Sequence, residues 1–256
     1  MRLLFLLTPW LLAALPLQAQ IDLNASERAA LGKKVWQNES GGSVSGLTSW
    51  NSGEGFGSFG IGHFIWYPEG KRGRFEESFP KLVSFLAQQG QNPPAFVARA
   101  LPRGCPWSTK AEFERAKNSA EMKTLRQYLR DTIPGQTAFL IARFNAAIPK
   151  MLQAAPASQR DVLKKRIREV GSTTRGAFAL VDYVNFKGEG VSKSERYQGQ
   201  GWGLLQVLQS MTGRGNPVDD FSDAAGRVLT QRVKNSPPAR NEQRWLTGWL
   251  NRVNRY

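Results

Sequence analysis

The chain lacks the parts for several common kinds of site. In 256 residues it holds one cysteine, Cys105, and one histidine, His63. A lone thiol cannot close an internal disulfide, so an exported fold would have to stand on its core. Cys105 reads as a buried, inert thiol rather than a reactive one. One histidine and one distant cysteine do not complete a closed zinc ligand set. No metal and no cofactor is therefore expected, and only a cation site made of carboxylates alone stays open. The single histidine also breaks a serine-protease reading. "NESGG" at 38–42 echoes D-S-G-G, but the only histidine follows it, and the order and spacing of a triad do not fit. Gly53-x-Gly55-x-Gly57 is not followed by a strand–loop–helix unit with a phosphate-binding lysine. Internal repeats and long low-complexity linkers are missing too. After the first residues no run approaches the ~18 apolar residues of a membrane-spanning helix.

What is present begins with a leader. "MRLLFLLTPWLLAALPLQAQ" has a positive start at Arg2, an apolar stretch from Leu3 to Leu15 and a small residue at Ala19. This pattern predicts a secretory signal peptide over 1–19, cleaved after Ala19, and a periplasmic or secreted protein with a single domain over 20–256. An uncleaved N-terminal anchor is the alternative. The formal net charge is +15, spread along the chain. Such a field favours polyanions, which outside the cytoplasm means cell wall and membrane surfaces. It fits a plain solvated basic surface equally well. No nucleic-acid-binding motif accompanies the charge.

The helical periodicity starts at once. Residues 24–39 read as a helix capped by Asn24 with Glu27 three residues on. Its apolar positions Ala30, Leu31, Val35 and Trp36 recur at helical spacing. Residues 43–68 alternate short apolar pieces with glycine and predict a small β-hairpin or meander. A helix opens at Ser78-Phe79-Pro80 and closes at Gly90, and Thr109 with Glu112 forms a second capping box. Further helical patterns cover 110–130, 135–153, 158–170, 173–186, 202–212, 221–234 and 241–254. On the last, Trp245, Trp249, Leu250 and Val253 share one face, which reads as core packing. The expected class is mainly α (α+β), with a small β lobe after the first helix.

The first helix must stop near Ser40-Gly41-Gly42, so Glu39 stands at its negative end, where ionising a carboxyl costs more. Eight glycines and His63 follow within 24 residues. Cleaving a glycosidic bond needs a carboxylic acid to protonate the leaving oxygen. An apolar pocket keeps such an acid protonated near neutral pH. Glu39, with Trp36 one turn before it and an aromatic loop after it, has that setting. It has equally the setting of a surface acid that closes a helix.

The order of these parts resembles the lysozyme-like superfamily. In phage-type lysozymes the catalytic glutamate ends the first helix and a G-I-G-H segment lies in the small β lobe. Gly60-Ile61-Gly62-His63 matches that segment, and Ser58 falls where those enzymes place a hydroxyl residue. Glu39-Ser40 resembles the E-S pair of lytic transglycosylases, and "GWGLLQVL" at 201–208 resembles their G-L-M-Q segment. The resemblance is specific over 24–68 and architectural beyond. Two features depart from it. The G-I-G-H segment begins 21 residues after Glu39, a few more than in the phage enzymes, and no aspartate occupies the place of their second carboxylate. Glu54 and Asn51 are the nearest polar substitutes.

The resemblance implies a lysozyme-like fold and a peptidoglycan-cleaving glycosidase, with Glu39 as general acid and Glu54 as the second candidate for the chemistry. The expected substrate contacts are Asn51, Ser58 and Trp66. A polar, aromatic stretch at 181–211 adds Asn185, Glu189, Tyr197 and Gln200, unless it is only a helix–helix connection. His63, Gly60 and Gly62 are expected to be structural. The absent aspartate favours the one-glutamate lytic transglycosylase over the two-carboxylate lysozyme. Two other classes fit the same sequence: a non-catalytic wall-binding or scaffold protein on that fold, and an exported nucleic-acid-binding protein suggested by charge alone. Oligomeric state and protein partners leave no trace in the sequence.

Overall fold

The computed structural model describes residues 20–73 and 75–256; the leader expected at 1–19 lies outside the described residues. The first helix, α1 (Ala25–Ser40), starts on the expected box: Asn24 Oδ1 accepts from the Glu27 amide at 3.0 Å and Glu27 Oε2 accepts from the Asn24 amide at 2.9 Å. It ends at Gly41, whose backbone is left-handed (φ 62°). Leu31 and Val35 turn inward. The segment before α1 is tied down as well. Ile21 exchanges both backbone groups with the side chain of Asn145, at 3.1 and 3.3 Å.

A three-stranded antiparallel sheet follows, built from β1 (Thr48–Ser49), β2 (Gly57–Phe59) and β3 (Phe64–Trp66) in that order. Ser49 faces Ser58, and Ser58 faces Ile65. The strands are very short, and aromatic packing holds the sheet on the helices. Phe59 and Trp66 lie edge to face at 5.7 Å, and both meet Phe79 at under 5 Å.

Helices then complete the described chain: α2 (Phe79–Ala87), α3 (Ala95–Ala100), α4 (Lys110–Arg115), α5 (Ala120–Asp131), α6 (Ile133–Ala154), α7 (Arg160–Gly171) and α8 (Thr174–Lys187). A second hairpin, β4 (Arg196–Tyr197) with β5 (Gln200–Gly201), precedes α9 (Leu204–Ser210), α10 (Pro217–Asn235) and α11 (Gln243–Val253). The protein is thus mainly helical with a small antiparallel sheet, as the periodicity predicts. The long α6 lies under both α1 and α8. Thr137 of α6 sits so close to Gly32 of α1 that a Cβ there would meet its hydroxyl at 2.2 Å.

Three expectations need correction. The pattern at 110–130 is two helices, because Ser119 ends the first run and caps α5 by accepting from the Met122 amide. Within the polar stretch at 181–211, residues 196–201 form a β-hairpin, which the pattern does not predict. On α11 only Val253 is buried, while Trp245 stays 41% exposed. Trp249 packs partly buried against the core, so only the Trp245 end of that face stands outside it. Cys105 is buried as expected, and burial pushes its thiol up to about 12.

Candidate active site

The last turn of α1 delivers Glu39 to a junction of the sheet, α8 and α11. Its carboxyl is 12% exposed and meets a partner on each side. Oε1 accepts from Arg252 Nη2 of α11 at 2.5 Å. Oε2 lies 3.5 Å from His63 Nδ1, at the end of the loop between β2 and β3. The second distance exceeds a normal hydrogen bond, so Oε2 keeps room for another partner.

Arg252 is itself held from behind. Its Nε and Nη2 donate to the two oxygens of Asp182 at 2.8 and 2.7 Å, and the Tyr256 hydroxyl donates to Asp182 at 2.7 Å. Asp182 is fully buried. Burial works against the charge on Arg252, but Asp182 first and Glu39 second outweigh it, and the guanidinium is held well above its ordinary range. Two bonds to a buried carboxylate and one to Glu39 hold the guanidinium in one orientation. It in turn fixes the rotamer of Glu39.

His63 adopts a left-handed backbone (φ 48°), uncommon for a residue with a side chain. Burial lowers its pKa; Glu39 and a hydrogen bond with the Gly46 backbone oppose this, and Arg252 reinforces it. The net effect disfavours the charged ring, and its buried Nε2 has no hydrogen-bond partner in the protein. The loop that carries it is clamped at both glycines. Gln136 of α6 accepts from the Ile61 amide at 2.9 Å, and a Cβ on Gly60 (φ 72°) would sit 2.3 Å from that same oxygen. A Cβ on Gly62 would meet Phe64 at 2.7 Å. Asn185 Nδ2 donates to the Gly62 carbonyl at 3.0 Å, and Arg143 donates to Asn185 Oδ1 at 3.4 Å. Asn185, expected on substrate, therefore ties α8 to the histidine loop.

The other expected residues divide by place. Glu54 lies in the β1–β2 loop, where its amide donates to the Asn51 carbonyl at 3.3 Å and its carbonyl accepts from Trp50 Nε1 at 2.8 Å. Burial raises its pKa, although hydrogen bonds from Asn51 pull the other way, and Oε2 is buried without a partner. No hydrogen bond or ion pair joins Glu54 to Glu39 among the described residues. Asn51 is exposed beside Glu54. Ser58 is 3% exposed in mid-sheet, and Trp66 is fully buried against Phe59 and Phe79, so both serve packing in this conformation. Glu189 pairs with Lys150 at 2.8 Å. Tyr197 donates to Glu242 at 2.9 Å, and Gln200 accepts from Asn235 at 3.0 Å.

Sequence reasoning missed Arg252, Asp182 and Tyr256. One local signal existed: an aspartate inside the apolar run "AFALVDYVNF" at 177–186 must be paired if it is buried. Nothing local pointed to Arg252, which meets Glu39 across 213 positions. Comparison of the chain with protein-family models, curated proteins and solved structures returns no match, so the site's chemistry has to be read from its own residues.

Proposed function

We propose that this protein is an exported enzyme with a lysozyme-like arrangement that cleaves the glycan strands of peptidoglycan, with Glu39 as general acid. The observation that carries the reading is the seat of Glu39. It ends the first helix, is nearly buried, has one oxygen fixed by an anchored guanidinium, and has the other facing His63 at 3.5 Å. A donor must be held in place and must keep one oxygen available for the substrate. Arg252 with Asp182 does the first, and the long contact at His63 does the second.

On this reading Oε2 carries the proton to the glycosidic oxygen as the bond from that oxygen to C1 breaks. In the one-acid route the sugar's own 6-hydroxyl oxygen then bonds to C1, and its proton returns to Glu39. No water and no second carboxylate is consumed. Glu54 then has a positioning role. In the two-carboxylate route Glu54 would act on water or on the sugar cation, at about 5–5.5 Å from Glu39 in a retaining enzyme or about 6.5–9.5 Å in an inverting one. Digesting purified peptidoglycan and weighing the products by mass spectrometry tests the proposal. The one-acid route gives fragments that end in 1,6-anhydro sugar, the two-carboxylate route gives reducing ends, and intact strands would refute cleavage.

A second reading has one observation in its favour. Glu39 serves Arg252 as a counterion, and a carboxylate spent as counterion is not a proton donor. A wall-binding protein that never cleaves would look the same at rest. Binding to insoluble peptidoglycan with no soluble fragments would establish it.

A further inference from the structure

Next to the Glu39 network, α8 ends in a lysine without a counterion. The Nζ of Lys187 lies 3.5 Å from the centre of the Trp249 ring and 3.9 Å from that of Phe186. Among the described residues no hydrogen bond or ion pair reaches it, yet it is not sealed from solvent. The charged groups around it are two arginines and one acid: Arg232, Arg252 and Glu242. The acid is already taken, since Arg232 grips both oxygens of Glu242 at 2.8 and 2.9 Å and Tyr197 donates a third bond. Burial, then the two arginines, hold the Lys187 ammonium well below the ordinary lysine range, against the weaker pull of Glu242. Aromatic faces attract a cation but do not replace a carboxylate.

The same rings lead outward. Trp249 packs against Trp245 at 6.0 Å, and Trp245 is 41% exposed with the Arg244 guanidinium 4.4 Å from its ring. Arg244 forms no ion pair among the described residues. They lead inward as well, because Phe186, 6.4 Å from Trp249, carries Arg252 at 4.3 Å, and Arg252 holds Glu39. An exposed tryptophan, two cations lacking acids and a continuous aromatic path thus end at the candidate acid. A neutral sugar would leave both cations unanswered. A nucleic acid would meet Glu39, Asp182 and Glu242 close behind them.

We propose that Lys187, Trp249, Trp245 and Arg244 form a subsite for a carboxylate-bearing sugar of the glycan strand, with Lys187 pairing the carboxylate. The proposal rests on the glycan reading above and adds what it does not contain: discrimination between acidic and neutral sugars, located on α8 and α11. A ligand carboxylate supplies the missing countercharge. The half-exposed indole supplies an apolar surface with a polar edge, which suits a partner that is wet on one side.

The test uses the full chain with Glu39→Gln, so that strands stay whole during binding. Two probes share an N-acetylated backbone: peptide-free strands of alternating N-acetylglucosamine and N-acetylmuramic acid, whose lactyl groups are free carboxylates, and neutral chitohexaose. Calorimetry should show the acidic strand bound roughly tenfold more tightly, a difference set by one charge-assisted contact. Adding Lys187→Met, which keeps the aliphatic stem, should erase that preference and leave chitohexaose binding unchanged. Lys187→Arg should keep the preference, and Trp245→Ala should weaken both ligands. A Lys187→Met protein with the parent's preference, or a parent with none, overturns the subsite. If the preference depends on Lys187 while the wild type releases no fragments from peptidoglycan, the subsite stands and the cleavage reading falls.

Discussion

The two walls around Glu39 are built on opposite principles. The helical wall, from α8 and α11, is full of charge that is mostly paired: Arg252, Asp182 and Tyr256 bond one another, and Arg232, Glu242 and Tyr197 do the same nearby, while Lys187 and Arg244 lack an acid. The sheet wall is nearly neutral and poorly satisfied. Ser49 Oγ, Glu54 Oε2, His63 Nε2 and Trp66 Nε1 are all buried there without a hydrogen-bond partner in the protein. Buried polar groups without partners cost free energy and are few in native proteins. All four lie on the sheet side of the site. The helical wall is the side that holds the acid still.

Four substitutions break or sharpen this contrast. Glu39→Gln keeps the shape and removes the proton. Peptidoglycan cleavage should fall by roughly 10²–10⁴-fold while circular dichroism and melting temperature stay close to wild type, because Asp182 still answers Arg252. Turnover near wild type in the folded variant would remove Glu39 from the chemistry. Asp182→Ala attacks the satisfied wall. It leaves Arg252 Nε and the Tyr256 hydroxyl buried without their acceptor, with Glu39 the one acid still on the guanidinium, and should cost about 3–5 kcal/mol in urea unfolding; a loss under about 1 kcal/mol would mean that the network contributes nothing to the fold.

The sheet wall should respond more weakly. His63→Ala should cost about 1–3 kcal/mol and spare more activity than Glu39→Gln does. His63 also carries a pH signature. Its folded pKa lies below the ordinary 6.5, so the unfolded chain binds the proton first. The stability tied to the neutral ring is present above about pH 6.5 and is lost as pH falls through that value toward the folded pKa. The variant's stability should fall less steeply over that range, as read from urea midpoints at several pH values. Unchanged melting with abolished activity would make His63 part of the chemistry instead. The smallest effect is expected at Glu54→Gln, a few-fold loss in turnover if one acid suffices. A loss equal to that of Glu39→Gln, with reducing-end products, would turn the sheet wall into a catalytic one.

How much of this was legible in the sequence follows from range. The Asn24–Glu27 box, the glycine-punctuated sheet and the placing of Glu39 at a helix end are all local, and each is found where the pattern predicts it. The break at Ser119 was hidden because Phe113, Met122 and Leu125 continue an apolar rhythm across it. The six-residue α3 is too short to show a period of its own. Trp66 as a substrate contact and Trp245 as a core residue were both misplaced for one reason: an aromatic residue reads the same in sequence whether its ring faces core or solvent. Pairing is a matter of the whole fold, so His63 was visible as the lone histidine, but its approach to Glu39 and the guanidinium opposite were not.

The ion pair between Glu39 and Arg252 joins residues 213 positions apart. A contact that closes so large a loop is entropically expensive and rewards the chain only after much else is in place. The helices between the two residues can gather early, but the pair completes only when α11 docks against α1 and α8. A chain that leaves the ribosome N-terminus first thus presents Glu39 long before Arg252 exists. The acid spends most of synthesis without its clamp, and the site is assembled by the last helix to arrive.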